Sequence, residues 1–212
     1  MPASSPVRIA VFASGNGSNF EALAAAARRG ELGGTIVALL SDNAHAPVLE
    51  RARRLGIEAL TPPTGSFRTR LEDERPWLEA LAQRDISLVL LAGFMRRLHA
   101  PMLTAYARRL LNIHPSLLPA FPGLDAIGRA WRQGVSVTGC TVHLVEDALD
   151  AGPIVAQAKV AVVQGESLES LEARIHEAEH SLYPRAVRRF LGEPWTVADG
   201  RLVFHAKEAA HE

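Results

Sequence analysis

One cysteine, Cys140, stands alone in 212 residues, so no disulfide can form within the chain. That suits a reducing compartment, and a cytoplasmic setting is the expectation. Cys140 falls in an apolar, alternating stretch, where a thiol packs as a small strand residue and is not expected to be a nucleophile. No apolar run nears the roughly 20 residues that cross a bilayer, so no membrane partner is expected. The first six residues, Met-Pro-Ala-Ser-Ser-Pro, lack the apolar core of a signal peptide. Charge of one sign is lacking too. Lys and Arg number 23 and Asp and Glu number 23, which leaves no positive field for nucleic acid. An anionic substrate must be held by local devices. His176, Glu179 and His180 share a helix, but no His-Glu-x-x-His pattern is present and no metal is expected.

What the chain does have is apolar material, 48% of its residues, in a regular order. Apolar runs at residues 7–12, 35–40, 57–60, 86–91 and 109–113 read as strands. Helical patterns at 19–29, 47–55, 69–84 and from Pro101 lie between them. Ser18 with Glu21 has capping-box spacing, and Thr69 with Glu72 can open the third helix. This alternation predicts a doubly wound, mostly parallel α/β sheet. The second half differs. Two longer strands, 135–145 and 154–163, are joined by an acidic loop and predict antiparallel pairing. Ser167 caps a long helix expected to kink or break at Pro184. Asp199-Gly200 marks a hairpin within 196–205, and the tail from 206 to 212 is expected to fray.

Three segments can carry chemistry. Ser14-Gly-Asn-Gly-Ser-Asn19 joins the first strand to the first helix, at the carboxyl edge of the sheet where ligands bind. Its glycines and the helix start suit a phosphate as well as they suit a plain turn. Phe20 stands where the dinucleotide fingerprint needs its third glycine. Asn112 and His114 end the fifth strand, two residues apart and therefore on one face, just before Pro115. An amide donor beside an imidazole suits a reaction in which an oxyanion forms and a proton moves. The acidic loop, 147–153, offers a carboxylate to hold the imidazole. Asp147 and Asp150 both qualify, and Glu146 less so. His143, on an alternating strand, reads as core or surface. Ser116 lacks the Gly-x-Ser-x-Gly context of a hydrolase nucleophile. A cis bond at 118–119 would turn the chain sharply there.

Together with Leu91-Ala-Gly-Phe-Met-Arg96, Leu110-Leu-Asn-Ile-His-Pro-Ser-Leu-Leu-Pro119 and Leu149-Asp-Ala-Gly-Pro-Ile154, these segments resemble the folate-dependent formyltransferase family. Within it they resemble the branch that formylates phosphoribosylglycinamide in purine synthesis. The resemblance covers about residues 7–192. It implies a Rossmann-like formyltransferase fold in one domain, 1–212. A half at about 7–115 would bind ribonucleotide phosphate, and a half at about 116–205 would complete the folate and catalytic site. The implied trio is Asn112, His114 and Asp150, with Thr141 supporting a water nearby. Gly17, Ser18, Asn19, Phe20, Glu21 and Glu179 would bind the ribonucleotide. Arg70, Met95, Arg96, Arg97, Leu98 and Asn112 would bind the folate. The co-substrate would be 10-formyltetrahydrofolate, with small-molecule partners only and a monomer or homodimer as the assembly. Two departures stand out. The family usually has histidines where this chain has Asp125 and Ile127, and an apolar residue is commoner at Arg97. The chain has Phe121-Pro122-Gly123 after Leu-Leu-Pro, where methionyl-tRNA formyltransferases normally carry Arg-Gly.

Overall fold

The protein is described by a computed structural model covering residues 6–206, so the expected fraying of the tail lies, from 207 on, outside the described residues. The expected alternation forms. Strands β1 (Val7–Phe12), β2 (Gly34–Leu40), β3 (Glu58–Leu60), β4 (Leu88–Leu91) and β5 (Leu110–His114) pair in parallel in the order β3-β2-β1-β4-β5. Helices α1 (Ser18–Arg28), α2 (Pro47–Arg54), α3 (Arg75–Ala82) and α4 (Ala100–Ala105) connect them. Then β6 (Val137–Leu144) pairs antiparallel with β5, and β7 (Ile154–Ala161) antiparallel with β6. The sheet ends in a hairpin of β8 (Trp195–Ala198) and β9 (Arg201–Phe204), whose turn residues Asp199 and Gly200 both have positive φ. Among the described residues the result is one mixed sheet of nine strands.

Strand alternation divides the core into two layers. Ile9, Val11, Leu88 and Leu90 pack against α1, α2 and the long helix α6 (Leu168–Gly192). Ala10, Phe12, Val89 and Leu91 face the other way, against Trp77 of α3 and Met102 of α4. Cys140 is fully buried on β6, the packed strand position expected of it. Burial pushes its thiol up to about 12, so it is inert at neutral pH.

Four local readings need correction. No capping box forms at α1, because the N-cap is Gly17, at φ 83°, without a side-chain cap. A Cβ there would lie 2.3 Å from Val48 Cγ2, so the chain passes against α2 at a point only glycine allows, and Ser18 falls inside the helix. The helix expected over 69–84 starts only at Arg75. Pro76 lacks an N–H and would clash with the carbonyl four residues back, so it belongs in a first turn. The long helix α6, capped as expected by Ser167 (Oγ accepting from Ser170 N, 3.2 Å), runs unbroken through Pro184. Tyr183, Ala186 and Val187, buried around the proline, hold that turn in place. A fifth short helix, α5 (Ala126–Gln133), was not foreseen. Its eight residues give too little period to see, although Gly134 closes it in the left-handed conformation.

Helix α4 depends on a distant carboxylate. Glu74 is buried and accepts from His99 N at 2.7 Å and Met102 N at 2.9 Å, capping α4 across the chain. Glu74→Ala should cost about 2 kcal/mol of stability, the usual size for a charged cap whose donors are left buried. Urea denaturation measures this; an unchanged midpoint would remove Glu74 from that role.

Candidate active site

The carboxyl edge of β1, β4 and β5 gathers the polar segments. On β5, Leu111 and Ile113 point into the α1–α6 core, so the alternate residues Asn112 and His114 share the opposite face. Antiparallel β6 sets His143 opposite Asn112 and Thr141 opposite His114. The Asn112 amide donates from Nδ2 to His143 Nε2 at 3.1 Å. His143 Nδ1 in turn donates to the Leu144 carbonyl at 2.8 Å, which fixes the neutral tautomer. Burial pushes the His143 imidazole below its ordinary range, more strongly than the Leu144 carbonyl and Asp150 pull it up. His143, read from sequence as core or surface, is therefore the missed member of the group. Its one signal was an alternating polar position on a strand next to β5.

Asp150 completes the cluster. Its Oδ2 lies 3.4 Å from His114 Nδ1 and its Oδ1 3.7 Å from His143 Nε2. Of the two candidate acids, Asp150 is the one beside His114, whereas the Asp147 carbonyl accepts from Arg97 Nη2 at 3.4 Å. Asp150 sits at φ 51° and accepts from Gly123 N at 2.8 Å. His114 is buried, and its Nε2 donates to the Phe121 carbonyl at 2.9 Å. Phe121 itself has φ 53°, a costly conformation for a bulky residue and one that often marks a working site. The Leu118–Pro119 bond between them is cis. Thr141 is fully buried. Its hydroxyl donates to Ser116 O at 2.6 Å and accepts from Leu118 N at 3.1 Å and Gln157 Nε2 at 2.9 Å. One proton and two lone pairs are thus all used by protein, leaving nothing for the nearby water expected of it.

At the phosphate-like loop the amides of Ser18, Asn19 and Phe20 head α1 without helical acceptors, since the first helical bond runs from Glu21 N to Gly17 O at 3.0 Å. Asn19 Nδ2 donates to buried Glu179 at 2.8 Å, and His176 Nδ1 donates to the same Oε2 at 2.9 Å. The Glu179 carboxylate holds the His176 imidazole above its ordinary range. Asn19 Oδ1 is buried without a donor among the described residues. The Phe20 side chain lies in the core, so only its backbone faces the loop. Glu21 is taken up by Arg51 and Arg54.

Residues 95–98 run beside residues 67–70. Arg97 N donates to Thr69 O at 2.9 Å, and the Arg70 guanidinium lies 4.0 Å over the Phe67 ring. Arg96 is committed to Asp42 at 2.7 Å and to the Phe67 carbonyl, so it braces this strip. Met95 is exposed and Leu98 buried.

The chain matches the family described as formyl transferase over residues 7–187. It is 42% identical over 185 residues to the phosphoribosylglycinamide formyltransferase of Bacillus subtilis, which spans 87% of this chain and 95% of that protein. To the Escherichia coli protein of the same name it is 41% identical over 203 residues, covering 96% and 92%. The crystal structure of glycinamide ribonucleotide transformylase 1 from Symbiobacterium toebii superposes with a TM-score of 0.89 at 43% identity, over 94% of each chain.

The depressed His143 imidazole has a measurable consequence. Unfolded, it takes up a proton near 6.5; folded, it does so only at lower pH. Its stabilisation is complete above 6.5 and is lost as pH falls from there toward the depressed value. His143→Gln keeps an acceptor for Asn112 and removes the titration. Between about pH 7.5 and about pH 5.5 the denaturation midpoint should fall further in the parent than in this variant; equal falls would contradict the neutral His143.

Proposed function

This chain belongs to the formyl transferase family, and we propose that it moves the formyl group of 10-formyltetrahydrofolate to the amine of phosphoribosylglycinamide in purine biosynthesis. The carrying observation is the cluster of Asn112, His114 and Asp150 at the end of β5, on the same sheet edge as the loop before α1. No helix of the described residues is long and apolar enough to cross a membrane. A cytoplasmic monomer or homodimer acting on small molecules fits this reading.

The free amides of Ser18, Asn19 and Phe20, at the positive end of α1, suit the ribonucleotide phosphate. The donor-less Asn19 Oδ1 and the Glu179 carboxylate suit its hydroxyl and amine groups. Arg70, with no carboxylate partner among the described residues, suits the anionic tail of the folate. Residues 95–98 offer backbone groups to its ring system, with Met95 exposed at their edge.

The co-substrate supplies an activated formyl group. The substrate amine attacks the formyl carbon, a C–N bond forms, and the carbonyl electrons move to oxygen. Asn112 meets that oxyanion with the Nδ2 proton not given to His143. The Nε2–H of His114 is fixed by Phe121 O, so a second proton on Nδ1 points toward Asp150 and the developing charge. The gap of 3.4 Å there is longer than a hydrogen bond and tightens once the reacting oxygen shares it. Asp150 stays ionised and stabilises the imidazolium, while a water carries the proton that the amine loses to the folate nitrogen, whose C–N bond breaks as it leaves as N–H. Thr141 and His143 act through others: Thr141 anchors residues 116–118, and His143 aims Asn112.

An oxyanion donor is worth about 3 kcal/mol, so Asn112→Ala and His114→Ala should each lower kcat at least about a hundredfold with the fold intact. The absorbance change on consumption of formyl folate, with phosphoribosylglycinamide as acceptor, reads this. Near-full activity in either variant would refute the residue roles. No turnover of the parent with that acceptor, despite bound folate, would refute the substrate.

A further inference from the structure

A second basic site lies outside this machinery, in the groove between the C-terminal half of α1 and the middle of α6. The cavity measures ≈ 380 Å³ and shares no residue with the loop before α1. Arg29, at the end of α1, and Arg185 and Arg188, one turn apart on α6, line it. Arg29 pairs with Glu31 at 2.8 Å. Arg185 and Arg188, both exposed, have no ion pair or side-chain hydrogen bond among the described residues. Three arginines against one glutamate leave the groove locally positive on a chain whose net charge is zero. Neighbouring guanidiniums repel each other unless an anion lies between them.

The groove also holds acceptors. Pro184 lines it and carries no N–H, so the His180 carbonyl one turn earlier has no i+4 donor. His180 lines the groove too, and its Nε2, just beneath the surface, has no hydrogen-bond partner among the described residues. Ala22 and Ala25 on the facing helix keep the groove open. Paired guanidiniums ask for a doubly charged phosphate. Orphaned acceptors beside small side chains ask for a flat group with N–H donors.

We propose that this groove binds a nucleoside monophosphate, with its phosphate on Arg185 and Arg188 and an amino-bearing base toward His180 and Pro184. The inference stands on the groove alone and does not depend on the formyl acceptor assigned above. Titration calorimetry with AMP, in the presence of saturating phosphoribosylglycinamide, tests it. One molar equivalent of AMP should bind, adenosine should not, and Arg185→Ala with Arg188→Ala should weaken binding at least about tenfold. Ala25→Trp, which fills the groove from an exposed position, should also abolish AMP binding. Formyl transfer without AMP should be unchanged in both variants. AMP binding that competes with the ribonucleotide, survives both variants, or is absent at millimolar concentration would overturn the proposal, as would burial of the groove by a second copy of the chain.

Discussion

The antiparallel register of β5 against β6 is the constraint on which the site depends. It sets Asn112 against His143 and His114 against Thr141, while Leu111, Ile113, Cys140 and Val142 turn into the core. Because side chains alternate with a period of two, a slip of one residue would turn the amide and the imidazole into the aliphatic core and carry the aliphatic residues to the site's face. Every buried leucine on that face therefore also holds the site in register. Tyr183 reinforces this from α6, its hydroxyl lying 3.1 Å from Leu91 O and 3.0 Å from Leu111 O, where β4 and β5 adjoin.

The site is held mainly by backbone groups. His114 is oriented by the Phe121 carbonyl, His143 by the Leu144 carbonyl, and Asp150 by the Gly123 amide. The Thr141 hydroxyl gathers Ser116 and Leu118. Backbone partners come from chain path, so the left-handed conformations at Phe121 and Asp150 are part of the positioning and not incidental turns. The side chains that titrate or react then need few side-chain partners of their own.

This division explains what could be read from the sequence. Periodicity exposes whatever packs, so the parallel half, the antiparallel pair and the hairpin at Asp199-Gly200 were legible. Asn112 and His114 were legible because they interrupt an apolar strand at its carboxyl end. Asp150 was not separable from Asp147 by residue type, since the difference lies in a loop path. His143 was missed because a histidine on an alternating strand has the same pattern whether it packs or orients a neighbour. Helix starts failed where long-range contacts decide. Val48 forces the glycine at Gly17, and Glu74 serves α4 and not its own segment.

The two positions where histidines are usual show the same separation of anchoring from chemistry. Asp125 begins α5 at φ 53° and pairs with Arg132 on the surface. Ile127 packs with Val160, Leu171 and Ile175. Neither hydrogen-bonds to Asn112, His114 or Asp150. What α5 contributes is Arg129, which donates to the Pro122 carbonyl and lies 6.0 Å from the Phe121 ring. Phe121 in turn carries the carbonyl that orients His114. The substitutions therefore act on how firmly residues 121–123 are pinned, through an ion pair and a core isoleucine. Asn112, His114 and Asp150 stay as β5 and the loop at Asp150 place them.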